Sequence, residues 1–263
     1  MSAKAISFNN YDFQDENWRT QDIIYRNLPE KTIDLEPLSR RDGFRIVNSY
    51  YTQKQITISG TVIDTSEANL RARVDNMKRA LQINDANLDI DDGGSTVRWT
   101  ASVSSINIPE QHYHITHLPF NITFLCQPFG ESTSATTDTN SVTTASETDT
   151  VVIIGSARPK PIITWTVIGT PSSAITGISF TNNNTSDTFE VTGLVLSGDG
   201  DYFELDTKEM TTVYNTGSGE VVTDFTGVIP TFITNTNSYT LTLTGGGASK
   251  EILQTIVYYA SYL

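Results

Sequence analysis

The three histidines of this 263-residue chain, His112, His114 and His117, fall within six residues of one another. On an extended segment His112 and His114 share one face, the placement of a metal-binding pair. A metal site needs further ligands, and only Glu110 stands close, among Tyr113, Thr116 and Pro119, so the histidines read as part of an ordinary loop. Asp199-Gly200-Asp201 with Glu204 and Asp206 resembles a fragment of a calcium loop. It lacks the ligand series that closes on a bidentate Glu, and it reads as a β-turn. Asp89, Asp91 and Asp92 read the same way. Cys126 lies in an apolar run before Gln127-Pro128, where a buried thiol is expected rather than a nucleophile. There is no Gly-x-Ser-x-Gly element, no Ser-His-Asp set and no glycine-rich phosphate loop. The chain is therefore expected to be no enzyme, with no catalytic residue, no cofactor and no metal. Trp165, Tyr202, Phe203, Phe225 and Tyr239 are the aromatics that could stack on a sugar ring, with Trp165, Tyr202 and Tyr239 the candidates kept. Core packing is the commoner fate of such rings in a β-sandwich.

Composition narrows the classes further. Net charge is −13, which argues against a protein that binds nucleic acid by neutralising phosphates. Residues 1–130 carry 13 Lys+Arg against 16 Asp+Glu, and residues 131–263 carry 4 against 14, so the halves stand at −3 and −10. That asymmetry implies two bodies. The single cysteine excludes an intrachain disulfide and a multi-cysteine zinc site. The first ten residues lack the apolar run of a signal peptide, and no run approaches a membrane span, so assembly in the cytoplasm without membrane insertion is expected.

The most informative elements lie between residues 54 and 103. Ile56, Ile58, Thr61 and Ile63 approximate the alternation of a half-buried strand, with a bulge or bend expected at Gly60. Asp64, Thr65 and Ser66 are N-cap types, and Glu67 places a negative charge in a first helical turn. Leu70, Val74, Met77 and Leu81 then form one apolar stripe, which predicts a helix over 66–82. Asp92-Gly93-Gly94 is a turn between two extended segments.

This order resembles the N-terminal domain of the siphophage distal tail protein, a phage tail-component family. The residues that carry the resemblance are Gly60, Leu70, Asp75, Met77, Lys78, Leu81, Asp92, Gly93 and Arg98.

Residues 131–150 are dominated by Ser and Thr and lack apolar surface for a core. They read as a flexible linker, with an ordered extended arm as the other arrangement Thr permits. Residues 151–263 read as all-β, with strands expected at 150–154, 161–168, 177–182, 188–196, 201–206, 211–214, 231–233, 238–244 and 255–262. Here Pro161, Ile163, Trp165 and Gly169, then Leu196, Gly198, Asp199, Leu205 and Asp206, then Gly227, Pro230 and Phe232, then Tyr258, Tyr262 and Leu263 are similar to the same family's second domain. The long connection between the halves departs from the family's usual short one.

The resemblance implies a mainly β (α+β) protein: an N-terminal ring-forming domain with one helix (1–130), then a C-terminal galectin-like or carbohydrate-binding-module-like β-sandwich (151–263). It implies a structural role in the virion, as a hub ring of six copies joining the tail tube to the baseplate or tip. The implied partners are further copies of the chain, the tail tube protein, the tape-measure protein, the tail-associated hub protein and receptor-binding proteins or fibres. Ile58, Gly60, Leu70, Met77 and Lys78 are the candidate ring-interface residues. The alternative is a carbohydrate-binding module for host-surface glycans.

Overall fold

The structure is a computed structural model that describes residues 5–15, 17–39, 41–91, 93–109, 116–217, 219–222 and 224–263. His112 and His114, read from the sequence as loop histidines, and Asp92 of the hairpin turn lie outside the described residues. The protein is mainly β, and it divides into two compact units: Met1–Thr133 with Tyr262–Leu263, and Ser134–Ser261.

The first unit opens with β1 (Ile6–Phe8), β2 (Tyr11–Asp12), β3 (Trp18–Ile24), β4 (Lys31–Pro37), β5 (Phe44–Tyr51) and β6 (Lys54–Ile63). Helix α1 (Glu67–Ala80) follows, then β7 (Ala86–Asp91), β8 (Thr96–Asn107), β9 (His117–Cys126) and the start of β10 (Gly130–Val142). The strands form an antiparallel sheet in the spatial order β3-β6-β9-β8-β7-β1-β2. Strand β6 buries every second residue from Lys54 to Val62, so Ile56 and Ile58 face inward as expected, whereas the alternation runs unbroken through Gly60 and turns Val62 inward in place of Thr61 and Ile63. The bulge, however, falls on the partner strand. Thr20 pairs with Gly60 and Asp22 with Ser59, so Gln21 is the extra residue. Gly60 is required for another reason: a Cβ there would lie 2.3 Å from the Arg19 carbonyl oxygen and 2.9 Å from the Phe120 ring.

Helix α1 starts where the sequence signals it. The Ser66 side chain accepts from the Asn69 amide at 3.3 Å, and Glu67 and Arg71 pair one turn apart at 2.6 Å. Asp64 just ahead of the helix accepts from Arg73. Leu70, Val74, Met77 and Leu81 join a core with Trp18, Ile58, Leu88, Trp99, Phe120 and Phe124.

The second unit adds β11 (Ser146–Ile153), β12 (Ile162–Val167), β13 (Ile175–Asn182), β14 (Asp187–Leu196), β15 (Tyr202–Asp206) and β16 (Thr211–Thr216). After these come β17 (Gly219–Val222), β18 (Thr226–Gly227), β19 (Asn235–Gly245) and β20 (Ile252–Tyr262). Two sheets, β17-β16-β15-β12-β20-β10 and β11-β19-β13-β14-β18, pack face to face. Their shared core centres on Trp165, whose ring lies 5.7–6.4 Å from those of Phe180, Phe189 and Phe203.

Two sequence expectations change here. The Ser/Thr-rich stretch is no linker: it supplies most of β10 and the first half of β11. Threonine suits a pleated strand, and every second residue from Thr136 to Val142 is at least half-buried, so low hydrophobicity did not preclude pairing. The segment 231–233 is not a strand. Its backbone is held by side chains instead: Asn182 Nδ2 donates to the Thr231 carbonyl (2.8 Å), and Asp187 accepts from the Thr231 amide (3.0 Å). Asn237 accepts from the Ile233 amide at 2.9 Å and donates to its carbonyl at 2.7 Å. Asn182 and Asn237 are fully buried, and both are satisfied in this way.

Candidate docking surface

The interface candidates drawn from the apolar stripe fall inside the first unit. Ile58, Leu70 and Met77 are 0–2% exposed, and Gly60 is packed against Arg19 and Phe120. The periodicity that makes these positions conspicuous marks the face an element buries within its own core. Lys78 is exposed in the last turn of α1.

The stacking candidates divide in the same way. Trp165, Phe203 and Tyr239 are wholly buried, so none presents a ring face to a sugar. Trp165 Nε1 donates to Gln254 Oε1 at 2.9 Å, and the Tyr239 hydroxyl donates to Asp149 at 3.2 Å. Phe225 packs on Phe189 at 5.1 Å. Tyr202 is half-exposed.

The acidic clusters are used internally. Asp201 accepts from the amides of Ser197 and Gly198 at 2.8 and 2.7 Å, and Asp199 accepts from the Gly169 amide at 2.7 Å. Gly200 takes a φ of +83° in that turn. Asp89 pairs with Arg98, and Asp91 accepts from the Gly93 amide. His117 opens β9 with its Nδ1 2.8 Å from the Thr116 hydroxyl. Among the described residues, no three His, Cys, Asp or Glu side chains are grouped to hold a metal ion. Burial pushes the Cys126 thiol up to about 12, which leaves it protonated and unreactive at neutral pH.

The surface with something left to satisfy is the β4–β5 hairpin. Its two strands continue the ribbon begun by β3 and β6, because Thr52 donates to the Glu30 carbonyl and Glu30 to that of Gln53. Among the described residues, β4 and β5 pair with each other and with no third strand. A bulge at Val47 brings Leu35 opposite Ile46 and Pro37 opposite Phe44. One face therefore carries Ile33, Leu35, Pro37, Phe44 and Ile46. The other carries Thr32, Asp34, Glu36, Arg45, Asn48 and Tyr50, with Arg45 paired to Glu36. The apolar face is uncovered, with Leu35 52%, Phe44 61% and Ile46 60% exposed. A two-stranded ribbon in water is marginal by itself, and one amphipathic in this way fits a covering partner. At its root Tyr51 packs edge-on against Phe129 at 5.6 Å, and Lys31 Nζ lies 5.7 Å from the centre of the Tyr51 ring.

The alternation in residues 32–37 announces a strand. Nothing in it distinguishes a face turned to the chain's own core from one turned to a partner, and so the hairpin was not among the sequence candidates.

No family profile and no curated protein matches the sequence. Solved structures do. The baseplate of phage P2 in its activated conformation, seen with calcium and with strontium, aligns at TM-scores of 0.43 and 0.41 with 11% identity. Those alignments cover 97% and 96% of this chain and 98% of the other chain in each case. The Dit protein (gp 19.1) of phage SPP1, described as a paradigm of the hub adsorption apparatus in phages that infect Gram-positive bacteria, aligns at a TM-score of 0.68. Identity there is 17%, and the alignment covers 100% of both chains. Over its whole length, through both units, this chain has the fold of the SPP1 Dit hub protein.

Proposed function

We propose that this chain is a structural component of a bacteriophage tail tip or baseplate, a hub protein that works as a ring of copies. The observation that carries the reading is the fold shared with the SPP1 hub protein from end to end. The uncovered apolar face of the β4–β5 hairpin supports it independently, because a neighbouring copy in a closed ring would cover that face and the ribbon's open edges together. In this reading the first unit builds the ring, and the second serves as the platform on which adsorption proteins or fibres sit. Six copies, and contacts to the tail tube, tape-measure and tail-associated hub proteins, follow from the sequence resemblance. The chain's net charge of −13 suits a hub through which DNA passes without being held.

The test is the mass of the purified chain by light scattering, with negative-stain images of the same sample. A closed ring with a central pore, whose copy number the mass then gives, is the expected result. A monomer at every concentration, both alone and with purified tail tubes, would overturn the reading.

A further inference from the structure

The inward face of the first unit's sheet carries a row of one long and two short side chains. The register sets Lys54 of β6 opposite Cys126 of β9, and Cys126 opposite Ala101 of β8, with Trp99 the next inward residue along β8. Cys126 and Ala101 are short, which lets the Lys54 stem reach Trp99, and Nζ comes to 5.4 Å from the centre of the Trp99 ring. Lys54 is 1% exposed and Trp99 2%. Among the described residues, neither Lys54 Nζ nor Trp99 Nε1 has a hydrogen-bond partner. The groups beside them are otherwise committed. The Cys126 thiol stays protonated, and the Tyr25 hydroxyl, whose ring packs edge-on against Trp99 at 6.3 Å, accepts from Arg26 at 3.1 Å. Gly130 closes the nitrogen edge of the indole with bare backbone, since a Cβ there would lie 2.7 Å from Nε1.

We propose that Lys54 Nζ and Trp99 Nε1 bind one monatomic anion, of the class of chloride, inside the first unit. An ammonium and an indole N–H are both donors without acceptor capacity, so a ligand that answers both must accept from both. Water is the poorer match. It brings two hydrogens of its own, and among the described residues no buried side-chain oxygen is left to take them. An anion also supplies the countercharge that a buried ammonium otherwise lacks. The enclosure bounds its size. With both side chains almost wholly buried and Gly130 against the ring, a polyatomic anion such as acetate or sulfate has no place for its further oxygens. Bound there, the anion ties β6 to β8 across β9, at the foot of the β4–β5 hairpin. The site lies within the first unit and does not depend on ring formation.

The experiment is thermal unfolding of the full chain, wild type beside Lys54→Met, at neutral pH, with sodium acetate exchanged stepwise for sodium chloride at a constant total of about 0.2 M. In acetate the ammonium has only the ring face, and the variant should melt above wild type. Chloride should raise the wild type by about 2–4 °C and leave the variant where it was, so that the gap narrows or reverses. A gap that is the same in both salts would overturn the site. A second readout uses the wild type alone and does not depend on stability. Anomalous diffraction from crystals grown in sodium bromide should place a peak within hydrogen-bond distance of both nitrogens, and the absence of a peak there would sink the anion.

Discussion

Lys54 Nζ lies 5.4 Å from the centre of the Trp99 ring, 1% exposed, with no hydrogen-bond partner among the described residues. The pairing register sets Lys54 directly opposite Cys126, and burial pushes the amine below its ordinary value. The ring face offsets only part of the cost of taking an ammonium out of water. A base lowered in the folded state loses stability as pH falls below its unfolded value. Lys54→Met keeps the length of the stem and removes the amine. It should raise stability by about 1 kcal/mol at neutral pH. The gain should vanish above about pH 10.5, where the amine is neutral folded or unfolded. Urea midpoints at the two pH values check this, and a loss at neutral pH would show that the cation–π contact is the larger effect.

Leu35 and Ile46 face each other on the uncovered side of the hairpin, 52% and 60% exposed. Replacing exposed apolar residues by serine leaves the fold nearly untouched, within about 0.5 kcal/mol each. If a second copy covers them, each contributes about 1.5–3 kcal/mol to assembly. Leu35→Ser with Ile46→Ser should therefore weaken association by roughly a hundredfold or more at an unchanged melting temperature. Light scattering across a concentration series reads this directly. An unchanged mass distribution would place the interface elsewhere on the first unit.

Gly60 faces Phe120 across the β6–β9 pair, and its missing side chain is what lets the strand pass the Arg19 carbonyl. Gly60→Ala puts a methyl into contacts of 2.3 and 2.9 Å, one of them with backbone that cannot yield without shifting β3. Overpacking of this kind costs about 1–3 kcal/mol. The variant's denaturation midpoint should fall accordingly, whereas Gly94→Ala, with open space around it, should leave the midpoint unchanged.

What the sequence disclosed and what it concealed follow from one physical distinction. Local signals were readable: the Ser66 cap, the Leu70–Leu81 stripe and the Ile56–Ile58 alternation of β6 each depend on residues a few positions apart. Signals that depend on distant partners were not. The bulge sits at Gln21 and not at Gly60, because a glycine's reason can lie on the neighbouring strand. The Ser/Thr-rich stretch pairs because β19 and β20 await it, and its own composition carries no sign of them. Four of the five interface candidates, Ile58, Gly60, Leu70 and Met77, are taken up by the chain's own core for a related reason, and only Lys78 is exposed. A periodic apolar stripe reports burial, and burial inside the chain is commoner than burial against another. Asn182 and Asn237 gave no signal at all, since a buried pinning amide and a loop asparagine look alike until the fold brings Thr231 and Ile233 to them.

Asp64 and Arg73 join the end of β6 to the second turn of α1. Arg73, first, and then the Thr65 amide and hydroxyl and the Asn69 side chain hold the Asp64 carboxyl down at about 2. A carboxylate lowered in the folded state gives stability that is present above its unfolded value and lost as pH falls through its folded value. The window therefore runs from about pH 4 down to about pH 2. Asp64→Asn should be less stable than wild type at neutral pH, and its melting temperature should fall less steeply through that window. Parallel curves for the two proteins between those limits would mean that Arg73 contributes nothing specific to the helix start.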